Sequence, residues 1–207
     1  VFGQDANAIK IRRELLGYGK PIIVQYFIFL KRIFVYGDWG VGEQIYTGQN
    51  VVDVFASKLP ATMLVNVYAM LLSVPVGIGL GIFAALKKNK WQDHVISTGV
   101  MIFVSVPSYV YAFLVQYLFC FKLQWFPFLM DTGENYFSWE MFVSLMPAVI
   151  SLSFGTIAGF ARYTRAELTE VLTSEYMLLA RTKGLTKAQT TVRHALRNAM
   201  VPIFPMI

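Results

Sequence analysis

The 207-residue sequence is 56% hydrophobic and 14% charged, with a formal net charge of +6 and a mean hydropathy of +0.53. That balance excludes an ordinary soluble domain and points to a membrane protein. The basic excess does not indicate a nucleic-acid binder, whose cations would need a solvated face rather than positions between long apolar runs.

Residues 1–61 are mixed in charge and read as short helices: Ile9–Leu16 followed by Gly17, then Pro21–Phe34 opened by a proline at a helix start. Gly37-Asp38-Trp39-Gly40 is a turn signal. Val1-Phe2-Gly3-Gln4-Asp5 has neither an initiator methionine nor the zones of a signal peptide. The chain stops at Pro205-Met206-Ile207 as a new apolar run begins, so the sequence reads as a fragment at both ends.

Thr62–Leu86 is 25 residues without a charge, about 37 Å as a helix and long enough to cross a bilayer. Gly77, Gly79 and Gly81 lie within it without the strand and helix context of a nucleotide loop. Gly77 with Gly81, and Gly155 with Gly159, are small-xxx-small pairs expected to bring helices close. Val95–Phe121 is a second uncharged run of 27 residues, expected to kink at Pro107. It holds the single cysteine, Cys120, so no disulfide framework or cysteine-based metal site can form within the chain. Met141–Ala161 supplies a third span of 21 residues, with Pro147 near its start. Val201 opens a fourth. These features define an all-α polytopic membrane protein.

Loop charges set the direction. Residues 87–94 carry Lys87, Lys88 and Lys90 against Asp93, and 162–200 carry seven Arg or Lys against three Glu, whereas 122–140 carry Lys122 against Asp131, Glu134 and Glu140. By the positive-inside rule the first two segments are cytoplasmic, and 122–140 and 1–61 are outside. Trp125, Tyr136, Phe137 and Trp139 suit an outer interfacial belt.

The connection 162–200 is too long for a turn and needs structure of its own. Ser174 is placed to cap a helix beginning at Glu175 and ending in basic residues before Gly184. Thr186 with Gln189 is a capping box opening a second helix. Its apolar face is expected to hold Ala188, Val192, Ala195, Leu196 and Ala199, with Thr190, Arg193, His194 and Arg197 opposite. By patterning alone this unit is equally a basic helix resting on anionic lipid or a loop whose charge only fixes topology.

The run Ala180-Arg181-Thr182-Lys183-Gly184-Leu185, then His194-Ala195-Leu196-Arg197-Asn198-Ala199 and Pro202, resembles the EAA loop of ABC importer permeases. It is similar in particular to the B-type subunits of the oligopeptide, dipeptide and nickel branch. The family's Glu-Ala-Ala triplet is here Leu178-Leu179-Ala180. Arg13-Glu14-Leu15-Leu16-Gly17, Pro21, Gln25-Tyr26, the Gly37 turn and Leu59-Pro60-Ala61-Thr62 agree with that branch, so the resemblance spans nearly the whole chain.

The resemblance implies a type I, MetI-like permease protomer of about six spans in a bacterial inner membrane. It implies partnership with a second homologous permease subunit, two ATP-binding cassette ATPases and an extracytoplasmic substrate-binding protein, for which residues 1–61 are a candidate docking surface. It implies that the loop residues Glu175, Ala180, Arg181, Lys183, Gly184, Leu185, His194, Arg197, Asn198 and Pro202 couple the permease to ATP hydrolysis. The substrate it implies is an oligopeptide or dipeptide, with nickel or another small solute open.

The sequence has no lysine-bearing phosphate loop, no Ser, His and Asp set on one element, and only His94 and His194 as histidines. It therefore indicates no catalytic residues, no resident metal and no cofactor. A secondary transporter or channel would call for ionisable residues inside the spans, and none falls within the three uncharged runs. A membrane scaffold would leave the loop without a purpose. A translocation path between these spans would use neutral groups: Asn66, Ser73, Ser105, Ser108, Tyr109, Gln116, Ser151 and Ser153, with a gate near Pro107.

Overall fold

Without charges to solvate, the apolar runs satisfy their backbone polar groups internally as helix. The computed structural model is accordingly helical, with two isolated β-bridges among the described residues. It describes residues 11–207 apart from Arg12, Leu15, Glu43, Gln44, Thr132 and Glu134, and gives Arg181 and Lys187 by backbone alone. The chain divides into two units, Val1–Pro60 and Ala61–Ile207.

In the first unit, α1 (Ile22–Tyr36) starts after Pro21, whose φ of −53° suits a helix entry. It stops at Gly37 (φ +64°), where Gly37 N–H donates to the Ile33 carbonyl at 3.1 Å and Asp38 N–H to the Arg32 carbonyl at 2.9 Å. Asp38 then organises the expected turn. Its carboxylate accepts from Gly40 N–H at 2.8 Å and from Arg32 Nε at 3.0 Å. Val1–Asp5, and Ile9, Lys10, Arg12 and Leu15 of the expected first helix, lie outside the described residues, while Ile11, Arg13, Glu14 and Leu16 are helical before Gly17 (φ +74°).

The second unit is built on two long helices, α2 (Val51–Leu86) and α5 (Trp139–Leu172). Both outrun the uncharged stretches. Asp53 places a negative charge in the first turn of α2, where it favours the helix N-terminus, and Ser138 caps α5 by accepting from Met141 N–H at 3.0 Å. The two helices run parallel. Ala69 packs with Val149, Gly77 against Ile157 and Phe160, Gly81 against Ala161 and Thr164, and Ala85 with Leu168, a constant advance along both chains. The chain between them must therefore cross back, so residues 87–90 and the segment after Leu172 lie at one end and 123–138 at the other.

That return crossing consists of α3 (Trp91–Ser105) and α4 (Ser108–Val115), the latter running on as π-helix through Gln116–Lys122. The kink expected at Pro107 is a break of 99°. Proline has no N–H to give the Phe103 carbonyl four residues back. Tyr111, buried in the next helix, supplies the missing donor: its hydroxyl reaches that carbonyl at 3.2 Å. The rings of Phe103, Tyr111 and Phe154 meet at 5.3–5.7 Å, with Phe103 stacked on Phe154 of α5, so the break is braced. Among the described residues, α2 and α5 are long and apolar enough to cross a membrane, and α3 with α4 add a third where the bent pair is counted as one span.

The glycine pairs divide. A Cβ on Gly77 would sit 2.6 Å from Phe160 Cβ, and one on Gly81 would sit 2.5 Å from Thr164 Cβ, so this pair sets the α2–α5 approach. Gly155 and Gly159 would meet nothing within 4 Å. The expectation that they bring helices together fails within this chain, because they lie on the side of α5 away from α2.

Candidate functional site

At the end shared by α2 and α5 the chain builds a helix, glycine elbow and helix. The first arm, α6 (Glu175–Thr182), follows α5 after two residues. The Ser174 hydroxyl, expected to cap α6, instead donates back to the Val171 carbonyl at 2.6 Å, because the end of α5 leaves that carbonyl open. Gly184 takes φ +86°, and Leu185 N–H reaches the Ala180 carbonyl at 3.4 Å, the bond pattern of a left-handed helix stop. The capping box is present: Gln189 N–H donates to Thr186 Oγ1 at 3.3 Å and Thr186 N–H to Gln189 Oε1 at 3.0 Å. The second arm comprises α7 (Lys187–Thr190), a π-helical turn over Thr191–Leu196, and α8 (Arg197–Met200).

The π-turn changes which residues face inward. Adding a residue to one turn rotates everything before it relative to everything after. Ala195 and Ala199 are buried as expected, packed with Met177 against Ala85 and Leu168. Thr190 and Thr191 are buried in front of them, while Ala188 and Val192, expected on the apolar inner face, are exposed. Thr190 correspondingly leaves the polar face, its hydroxyl donating to the Thr186 carbonyl at 2.8 Å.

Of the loop residues singled out from the sequence, Glu175, Lys183, Gly184, His194, Arg197, Asn198 and Pro202 are exposed, Leu185 is half-buried and Ala180 is turned inward. The Arg181 side chain lies outside the described residues. Sequence reasoning missed three members of the outer face. Leu178 and Leu179 of α6 and Val192 of the second arm are 64%, 56% and 63% exposed, and Arg193, His194 and Arg197, which follow Val192, are exposed as well. Large apolar side chains left outward beside cations on an otherwise packed unit are the usual composition of a protein-binding face.

A second omission lies at the same end. Asp93, read from the sequence only as a loop charge, is 1% exposed and receives four donors. Arg165 Nη2 reaches Oδ2 at 2.8 Å while its Nε donates to Oδ1, and Asn89 N–H and Ser97 Oγ approach at 3.0 and 3.3 Å. Arg165 lies in the part of α5 that was assigned to the loop, so the two longest-range charges are helical. Nothing in the local pattern pairs residues 72 apart.

The neutral path candidates are only partly gathered. Gln116 and Ser151 line one cavity of about 280 Å³ with Val65, Ala112, Phe128 and Pro147. Gln116 Nε2 donates to the Phe128 carbonyl at 3.3 Å, and the Ser151 hydroxyl donates to the Pro147 carbonyl at 2.6 Å. Asn66 and Ser105 bond within their own helices, to the Thr62 and Met101 carbonyls, and are exposed, as are Pro107, Ser108 and Tyr109. Ser73 and Ser153 are buried against neighbouring helices.

Comparison with known proteins bears on the whole arrangement. Residues 77–207 match the family model described as "Binding-protein-dependent transport system inner membrane component". The chain is 33% identical over 201 residues to the dipeptide transport system permease protein of Lactococcus lactis subsp. cremoris, covering 97% of this chain and 63% of that protein. It is 30% identical over 203 residues to the glutathione transport system permease protein of Escherichia coli K12, covering 98% and 63%. The chain thus spans under two thirds of the length of these relatives. Its parallel long helices, broken return crossing and packed two-arm loop all fall within or adjoin the matched residues, and the chain belongs to the family of binding-protein-dependent transport system inner membrane components.

Proposed function

We propose that the chain is the membrane-spanning part of an ATP-driven ABC importer, forming a translocation path and coupling it to separate ATPase subunits through residues 175–202. One observation carries this reading: Leu178, Leu179 and Val192 are exposed, as are Arg193, His194 and Arg197, on a unit whose buried residues Met177, Ala195 and Ala199 pack onto the ends of two spans. A lipid-resting helix would place its apolar side chains and its packing on the same face. Here the apolar side chains are on both faces, as a unit held by the spans on one side and a protein partner on the other requires. The loop end is the cytoplasmic end in this reading, in accord with its positive charge. The chain itself carries no ATP-hydrolysing residues, and its partners are a second permease subunit, two ATPases and a substrate-binding protein.

The substrate we assign is a short peptide. The names of the relatives support it, and so does the neutral lining of the Gln116 and Ser151 cavity, which offers hydrogen bonds without a charge to select one side-chain type.

The test is co-purification of the full-length permease with its ATPases. Val192→Asp on this exposed position leaves the permease folded and is expected to reduce ATPase retention about tenfold or more, the loss typical of a central contact. Retention equal to wild type removes the reading. Mass spectrometry of the ligand on the co-purified binding protein decides the substrate, nickel or another small solute being the result that overturns the peptide assignment. A Cβ at Gly184 meets no neighbour within 4 Å, so Gly184→Val acts chiefly through the φ of +86°, about 1–3 kcal/mol of strain at the elbow. Reconstituted vesicles carrying it are expected to hydrolyse ATP with reduced uptake per ATP. Normal uptake excludes the elbow as a lever.

A further inference from the structure

The Asp93 site is more elaborate than a helix start requires. A first-turn carboxylate gains from the helix dipole while exposed, yet this one is nearly inaccessible and gathers donors from three separate elements. Asn89, in left-handed conformation (φ +63°), belongs to the turn leaving α2; Ser97 is one turn along α3; Arg165 is on α5. Arg165 sits beside Thr164, which meets Gly81 of α2, and one turn before Leu168 in the apolar cluster that holds α6 and α8. The planar fork of arginine fixes direction as well as distance. Deeper in the bundle, α3 meets α5 through the small contact of Val100 with Ala158 and Ala161 and through the stacked rings at the break. At the loop end, the ion pair is the directional tie.

We propose that Asp93 and Arg165 are positioning residues of the coupling step: they clamp the start of the broken crossing to α5, so that displacement of the loop carries α3 with it. The two-arm loop is rigid and packed on α5, hence α5 moves with the loop. Without the clamp, the first turn of α3 hangs on the four-residue turn after α2, its remaining ties to α5 lying further along at Val100 and Phe103, and it lags. This rests on the proposed ATP-coupled function of the loop, and neutral variants separate the two.

The experiment uses the complete reconstituted importer, spin-labelled at Tyr176→Cys on the loop or Trp91→Cys at the start of α3, each paired with Phe137→Cys at the opposite end, all three positions being exposed. Distances are measured before and after trapping with ATP and vanadate. The test variant is Asp93→Asn with Arg165→Ala: asparagine keeps the acceptor for Asn89 N–H, alanine removes the reach to α3, and no buried charge is left alone. In wild type both distances are expected to change. In the double variant the Tyr176 distance changes while the Trp91 distance does not, and uptake per ATP hydrolysed falls about tenfold, within the range of measured coupling energies. If the Trp91 distance follows as in wild type, the clamp is overturned and the coupling loop stands. If the Tyr176 distance is unchanged in wild type, the coupling loop falls and the clamp with it. Arg165→Lys, which keeps the charge and loses the fork, is the second variant should the first not assemble. An intermediate ratio of uptake to hydrolysis supports the clamp, and a wild-type ratio overturns it.

Discussion

Gly81→Ala is expected to cost the folded permease about 2–3 kcal/mol, as a methyl group forced into a closed contact does, and Gly77→Ala about the same. The added carbon at Gly81 would stand 2.5 Å from Thr164 Cβ and 2.7 Å from the Ala161 carbonyl oxygen; at Gly77 it would stand 2.6 Å from Phe160 Cβ and 2.8 Å from the Ile157 carbonyl oxygen. Two of these four neighbours are backbone atoms and two are Cβ atoms, so none can rotate away and α2 must separate from α5. The double substitution is expected to lose monodisperse protein in detergent altogether. Gly79→Ala is the internal control. It meets nothing within 4 Å and removes a glycine from a helix interior, so it is expected to be neutral or to stabilise by up to about 1 kcal/mol. Thermal denaturation of the three single variants is the measurement, and equal midpoints would show that the parallel packing does not depend on this pair.

The second large effect is an asymmetry across the Asp93–Arg165 pair. Arg165→Met is expected to destabilise by about 3 kcal/mol or more, because it strands a carboxylate that is 1% exposed. Asp93→Asn is expected to cost about 1–2 kcal/mol, since the amide oxygen still accepts from Asn89 N–H and Arg165, one third exposed, can turn its charge outward. Asp93→Leu combined with Arg165→Met is expected to recover most of the loss, as apolar replacement of a whole buried pair commonly does. Denaturation midpoints of wild type, Asp93→Leu, Arg165→Met and the Asp93→Leu, Arg165→Met double variant form a thermodynamic cycle, and additive losses would mean that the two side chains do not act together.

Much of this molecule was legible in its residues because one solvent constraint dominates. Uncharged runs must become helices, so the three crossings and the shared side of the 87–94 and 162–200 segments follow from composition and charge alone. Local chemistry was equally readable where the partners are local. Gly184, Thr186 with Gln189, Pro21, and Gly37 with Asp38 form the elbow, box and turn expected of them, since each involves residues within about six positions. Helix ends were less legible. The uncharged window closes at Ala161, whereas α5 runs to Leu172, because its further turns bury Thr164 and Leu168 against α2 and the loop.

By itself, then, the sequence determined that the chain is helical, has runs apolar enough to cross a membrane and carries a loop of two arms about a glycine elbow. Tertiary structure decided the rest. A residue-by-residue pattern assumes one uniform helical period, and the π-turn over Thr191–Leu196 breaks it, exposing Val192 and burying Thr190. Period also says nothing about which neighbour a glycine meets, so Gly77 and Gly81 pack where Gly155 and Gly159 do not. Nor can spacing foresee the clamp from Asp93 to Arg165, or the Tyr111 hydroxyl answering the carbonyl freed by Pro107. Those contacts exist because two parallel helices leave one route for the chain between them, and that route encloses the Asp93 carboxylate and the Tyr111 side chain against polar groups that no local pattern pairs with them.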